Sequence, residues 1–323
     1  MTNLKNNIFR FLPVTLIFFS ILALPLCAED QNKHYGDNYP PQEVKSLPIP
    51  EQLDFAGEIV PLERHDLRER FDREMLAFTF MHSTTFLLIK RANLYFPIIE
   101  PILKENNVPD DFKYLALIES YFNPRAVSPA KAAGFWQFLS STGKEYGLEV
   151  GTQVDERFHI EKSTAAACQY LKDSYELYNS WITAAAAYNA GKNRISTELE
   201  QQNAKDYFDL YLNEETSRYV FRLLAAKEML TNPQKYGFNL KKQDFYHTVR
   251  TRNVVVNTSI EDWADWAADN GTTYVQLKYF NPWIRDRKLD NKSGKTYTIK
   301  IPYPEDINYD IDKVKIHNKN WIK

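Results

Sequence analysis

The sequence predicts a mainly α-helical protein that ends in a small strand–helix–helix–strand module. Two observations carry this expectation. From about residue 60 to 230, apolar residues recur at helical spacing in segment after segment, with few strand signals. After about residue 244, the β-branched runs "FYHTVRTRNVVV" and "KTYTIKIP" flank two short helical stretches, "SIEDWADWAADNG" and "TYVQLKYFNPWI". At 323 residues, 44% hydrophobic and 25% charged, the chain can bury a full globular core.

Taken in order, residues 1–28 read as a secretory signal. Lys5 and Arg10 precede the apolar run "FLPVTLIFFSILALPL", and "LCAED" closes it with small residues and acids. The run is shorter than the roughly 20 apolar residues of a spanning helix. Cleavage after Ala28 is the first expectation. Lipidation at Cys27, which ends a Leu-x-x-Cys pattern beginning at Leu24, is the alternative and would anchor the chain to a membrane. Either route exports the protein, to the periplasm or to the cell envelope at the outer membrane. The formal net charge is −2, no basic block is present, and nothing suggests nucleic acid.

Residues 29–59 read as a linker or N-terminal extension, polar and proline-bearing in "NYPPQEVKSLPIP". Residues 60–240 form the helical domain. Its segments are "LRERFDREMLAFTFMHSTTFLLIKRANLYFPIIEPILKE", "DDFKYLALIES", "STAAACQYLKDSYELY", "WITAAAAYNAG" and "SRYVFRLLAAKEML". Gly191 is placed to end its helix in a left-handed cap. Residues 121–162 form a long loop, and long loops in compact domains are usually functional. Residues 241–304 form the C-terminal module, and 305–323 are a tail of no assigned structure. Cys168 lies in an alanine-rich helix as inert packing, because Cys27 belongs to the signal. His34, His65, His82, His159, His247 and His317 form no metal-ligand spacing, and most read as solvated surface. No phosphate loop or cofactor motif is found, so no cofactor is expected.

One residue breaks the pattern. In "YLALIESYFNP", Pro109, Asp110 and Asp111 favour a helix start, and Pro124 ends the helix near Asn123. Phe112, Leu115, Ala116 and Glu119 then share one helical stripe, which puts a carboxylate on a core face. Burial raises a carboxyl pKa, which suits a general acid near neutral pH. A structural glutamate, paired to an arginine or capping a neighbouring helix, fits the same stretch equally well.

Three stretches stand in order: "IES" with Glu119, "GFWQ" with Gly134, Phe135 and Gln137, and "AAYNAG" with Tyr188 and Asn189. Together they resemble the lytic transglycosylases of glycoside hydrolase family 23. The resemblance runs from about Pro48 to "EETSRYVFRLLAAKEMLTNPQKYGF" and implies a goose-lysozyme-like helical fold. It implies cleavage of the β-1,4 bond between N-acetylmuramic acid and N-acetylglucosamine in peptidoglycan, closing a 1,6-anhydro ring without water. By the resemblance Glu119 is acid and then base, and Gln137 and Asn189 orient the sugar's hydroxyl and acetamido groups. Tyr188 holds the acetamido group or Glu119 itself, while Gly134, Phe135, Ser128 and Tyr219 complete the substrate-binding set. The sequence departs from the family where "SPAKAAG" places Lys131 at a usual glycine, and where Phe135-Trp136 replaces Leu-Trp or Leu-Met. Two rivals remain: a lysozyme-like hydrolase using water, and a peptidoglycan-binding scaffold without turnover.

The C-terminal module resembles LysM, a small peptidoglycan-binding fold. Its second helix and asparagine-proline corner lie in "YVQLKYFNPWI", and its last strand in "KTYTIKIP". The glycine-aspartate usual after the first strand is missing from "VVVNTSIEDW". Glycan binding and a purely structural cap are both open for this module.

Overall fold

The computed structural model describes residues 46–323. The expected signal at 1–28, with Cys27 and Ala28, lies outside the described residues. Residues 47–323 form one unit. Its first element is a hairpin of β1 (Asp54–Phe55) and β2 (Glu58–Ile59). Residues 53–59 are therefore not linker, since Leu53 and Phe55 enter the main core. Glu58 anchors the hairpin: its carboxylate accepts from Ser180 Oγ at 2.8 Å and from the backbone N–H groups of Trp181 and Ile182. A carboxylate at a helix N-terminus meets unpaired N–H groups and the favourable end of the helix dipole.

The long first helical segment divides at Met81, whose ψ of 55° leaves helical geometry. Helix α1 (His65–Phe80) buries Leu67, Phe71, Met75 and Phe78. Helix α2 (His82–Glu105) buries Leu88, Ile89, Ala92, Phe96, Ile99 and Leu103, and stays helical through Pro97 and Pro101. A single 3₁₀ turn leads into α3 (Lys113–Ser120). This helix stops earlier than the proline alone requires, because Tyr121 and Phe122 turn left-handed at φ +50° and +52°. The loop after it is partly ordered, with α4 (Ser140–Glu145) and short bridges joining Val127, Ala133 and Phe138.

Helices α5 (Ile160–Tyr178), α6 (Trp181–Ala190), α7 (Lys192–Gln201) and α8 (Glu214–Thr231) complete the domain. Ala184 to Ala187 leave α6 apolar on every face, and a helix apolar all round belongs in the interior. It packs on α5, α7 and α8, while α1 and α3 lie against α8. Gly191 has the expected positive φ, +87°, but its ψ of 142° is extended, and it joins α6 directly to α7. Cys168 is buried and free, its thiol pushed up to about 12 by desolvation.

The C-terminal module consists of β3 (Thr251–Val256), α9 (Trp263–Asp269), α10 (Tyr274–Phe280) and β4 (Tyr297–Pro302). The strands pair antiparallel from Thr251↔Pro302 to Val256↔Tyr297. The asparagine-proline corner has a structural role. Buried Asn281 donates to Leu277 O and Lys300 O and accepts from Lys300 N, tying α10 to β4. The tail returns to the helical core, where Trp321 is buried and donates to Leu230 O at 2.6 Å. Not all histidines are solvated as expected. His247 is buried and bonded to Asp306 O, and His159 stacks on Trp283.

Candidate active site

Three helices converge on Glu119. It projects from α3, Tyr219 from α8, and Tyr188 and Asn189 from the last turn of α6. The Tyr219 hydroxyl donates to Glu119 Oε1. Glu119 keeps some contact with solvent, yet neighbouring atoms crowd its carboxyl enough for desolvation to dominate. Burial pushes this carboxyl up to about 7; the Tyr219 hydrogen bond and the Arg222 charge pull it down, and the Glu215 charge adds to the rise. The Tyr219 hydroxyl is itself held well above its ordinary value by burial and by the nearby Glu119 charge. A carboxyl titrating near neutrality can donate a proton and then recover one.

The hydroxyl that holds Glu119 is thus Tyr219, not Tyr188. Tyr188 donates instead to Trp136 O at 2.8 Å, and its ring packs on Trp136, Phe138 and Tyr170. Burial holds the Tyr188 hydroxyl well above its ordinary pKa, and the nearby Glu119 charge adds to that rise. Asn189 is half-buried, and its amide makes no hydrogen bond among the described residues. That leaves both its donor and its acceptor free for a substrate.

The loop residues divide by role. Gln137 is left-handed at φ +47°, and its Nε2 donates to Gly134 O at 2.8 Å and Ala126 O at 3.3 Å. Its amide nitrogen therefore shapes the loop, and only its carbonyl oxygen remains for a ligand. Gly134 is buried at φ +79°, where an added Cβ would lie 1.8 Å from Arg157 O. Only glycine fits that approach. Phe135, of the expected substrate set, has a side chain only 1% exposed that packs edge-on against Tyr95, at 4.8 Å between centroids. Ser128 Oγ accepts from Ala132 N at 3.1 Å, which closes the turn containing Lys131. Lys131 adopts φ +62°, so this chain places lysine in a conformation that glycine takes freely.

Arg222 was not legible from the sequence as a neighbour of Glu119. Arg222 reaches Ile118 O at 3.5 Å and acts on the Glu119 charge. Tyr121, two residues past Glu119, is exposed and left-handed. Both line a cavity of about 550 Å³ together with Phe78, Thr85, Glu215 and Arg218.

Comparison with known proteins identifies two domains in the chain. Residues 96–210 match the transglycosylase SLT domain, and residues 252–305 the soluble lytic transglycosylase C-terminal LysM-like domain. The chain is 30% identical over 242 residues to membrane-bound lytic murein transglycosylase D of Escherichia coli strain K12, covering 73% of this chain and 52% of that protein. It is 28% identical over 150 residues to membrane-bound lytic murein transglycosylase F of Photobacterium profundum, covering 43% and 28%. Among solved structures, the 70 kDa soluble lytic transglycosylase of Escherichia coli is 24% identical with a TM-score of 0.37, over 42% of this chain and 24% of that one. The chain spans about half the length of the curated relatives that it matches over most of its own length. The first matched domain contains Glu119, Ser128, Gly134, Phe135, Gln137, Tyr188 and Asn189, while Tyr219 lies beyond it. The chain carries a transglycosylase SLT domain followed by a LysM-like domain of the soluble lytic transglycosylase C-terminal type.

Proposed function

We propose that this protein is a peptidoglycan lytic transglycosylase with Glu119 as its single acid and base. The observation that carries this reading is the half-buried Glu119 carboxyl, raised to about 7 and held by Tyr219 at the meeting of α3, α6 and α8. In the first step Glu119 gives its proton to the glycosidic oxygen between N-acetylmuramic acid and N-acetylglucosamine, and the C1–O bond breaks. The muramic acetamido oxygen shields the positive C1, as in substrate-assisted glycosidases that dispense with a second carboxylate. Glu119, now a carboxylate, takes the C6 hydroxyl proton. The C6 oxygen closes on C1, giving a 1,6-anhydro ring and restoring the protonated acid with no water consumed.

Asn189 and the free carbonyl of Gln137 supply neutral hydrogen-bonding groups for hydroxyl and acetamido groups. Tyr188 is their support through Trp136 O. Export to the cell envelope accords with the reading of residues 1–28 and with the membrane-bound relatives, with release into the periplasm or lipidation at Cys27 as the two finer alternatives. Mass spectrometry of peptidoglycan digested by the purified protein tests the reaction. Ends carrying 1,6-anhydro-N-acetylmuramic acid support it; hydrated reducing ends mean a hydrolase, and no release means a binding scaffold.

A further inference from the structure

The loop bearing Gly134 and Gln137 is braced from the side of the C-terminal module. Ala133, Val154 and Phe158 are buried in one cluster with Trp263, Leu277 and Ile299, so residues of the SLT domain complete the module's core. Polar contacts follow the same seam. Asp155 N donates to Trp283 O at 2.9 Å, Arg285 N to Gln153 O at 2.8 Å, and Val154 pairs with Ile284. Lys295 pairs with Glu149, and Lys300 with Glu161.

Asp155 passes this support inward. Its carboxylate accepts from Arg157 Nε at 3.0 Å and Nη2 at 2.7 Å, a two-pronged pair with both side chains under a tenth exposed. The remaining Arg157 nitrogen, Nη1, donates to Lys131 O and Phe138 O, each at 2.9 Å. Those carbonyls bound the stretch that holds Lys131 and Gln137 in left-handed geometry. Such backbone is costly for residues other than glycine and persists only where its surroundings over-determine it. Arg157, multiply bonded, is the restraint that links this stretch to Asp155, beside the turn's own Ser128 and Gln137 hydrogen bonds.

We propose that the C-terminal module is a positioning element for the active-site loop, acting on it through Asp155 and Arg157. The proposal rests on the transglycosylase reading for its kinetic consequence, though not for its structural one. Arg157 is a positioning residue: it bonds the loop's backbone rather than the glycan. Lys131, a side-chain-bearing residue at φ +62°, makes the loop more dependent on that bond.

The test uses the full chain, with Arg157→Met, Arg157→Lys, Lys131→Gly, the Arg157→Met/Lys131→Gly pair and Ile284→Ala. Two readouts are taken: release of 1,6-anhydro ends from soluble glycan strands, and hydrogen exchange of residues 126–138. Losing charged hydrogen bonds predicts a fall in kcat of about tenfold for Arg157→Met, with KM moving much less. Exchange of the loop should quicken while α6 and α8 stay protected. Arg157→Lys should retain more activity, and Lys131→Gly should lessen the cost of Arg157→Met, because glycine needs no restraint at that φ. Ile284→Ala should loosen the same loop from the module's side. Unchanged loop exchange in Arg157→Met or Ile284→Ala overturns the proposal, as does strict additivity of the Arg157 and Lys131 changes. If Arg157→Met fails to fold, Arg157→Lys and Ile284→Ala still decide. A wild type that releases no anhydro ends refutes the reaction instead, and loop exchange then decides positioning by itself.

Discussion

The Tyr219 hydroxyl donates to the Glu119 carboxyl across 100 residues of sequence, joining α8 to α3. This bond favours the ionised form of Glu119 and so partly offsets the rise that burial causes. Tyr219→Phe keeps the ring and removes the donor. Glu119 should then titrate at higher pH, and the alkaline limb of kcat/KM should move upward with it. Activity at the optimum should fall about tenfold, the usual worth of a hydrogen bond to a charged group. A pH–rate profile in both proteins checks this.

The same carboxyl links stability to pH. Its folded-state pKa, about 7, lies above the ordinary carboxylate value of 4.5. The stabilising contribution is therefore complete below the unfolded value and is lost as pH rises through about 7. Glu119→Gln cannot ionise, so relative to wild type it should gain stability between pH 5 and pH 8. With allowance for the carboxyl's partial solvent contact, the gain is about 1–3 kcal/mol. Thermal unfolding across that pH range measures it; parallel curves for the two proteins would rule it out.

Gly134→Ala should damage both fold and activity. The new Cβ would meet Arg157 O at 1.8 Å, and backbone cannot yield as a flexible side chain does. Together with the positive φ, the cost should be about 2–4 kcal/mol. Denaturant unfolding with circular dichroism gives the number.

Asn281→Ala should weaken the C-terminal module specifically. It strands the Lys300 N–H and leaves the Lys300 carbonyl without the Asn281 donor, while Leu277 O keeps its bond from Asn281 N. Unsatisfied buried groups cost about 1–3 kcal/mol each. Hydrogen exchange should quicken in β3, β4 and α10 before it does in α6.

Much of this fold was legible because one face of each helix is apolar and repeats at helical spacing. Leu67, Phe71 and Met75 lie where their spacing places them, and so do Phe112, Leu115 and Ala116 beside Glu119. What escaped the sequence lacks such repetition. Helix α7 buries only Ile195, and the tail contributes just Val314 and Trp321 to the core, too few for a stripe. Phe135 and Gln137 neighbour one another in a motif, yet one packs into the core and the other turns onto backbone carbonyls. A motif marks where a site lies, whereas the direction of each side chain depends on contacts such as that of Gly134 with Arg157. The Tyr219–Glu119 bond is long-range, and no local pattern encodes it.

In the proposed reaction Glu119 protonates the leaving oxygen and then takes the C6 proton. Mass spectrometry of muropeptides released from purified sacculi, by wild type and by Glu119→Gln, tests it most directly. The wild type should release 1,6-anhydro-N-acetylmuramic acid ends, each lighter by one water than a hydrolase's reducing end. From the glutamine variant, folded by circular dichroism and still sedimenting with sacculi, release should fall by at least the ~10²–10⁴-fold typical of general acid–base catalysis. Hydrated ends from the wild type, or anhydro ends released at near wild-type rate by Glu119→Gln, would contradict it.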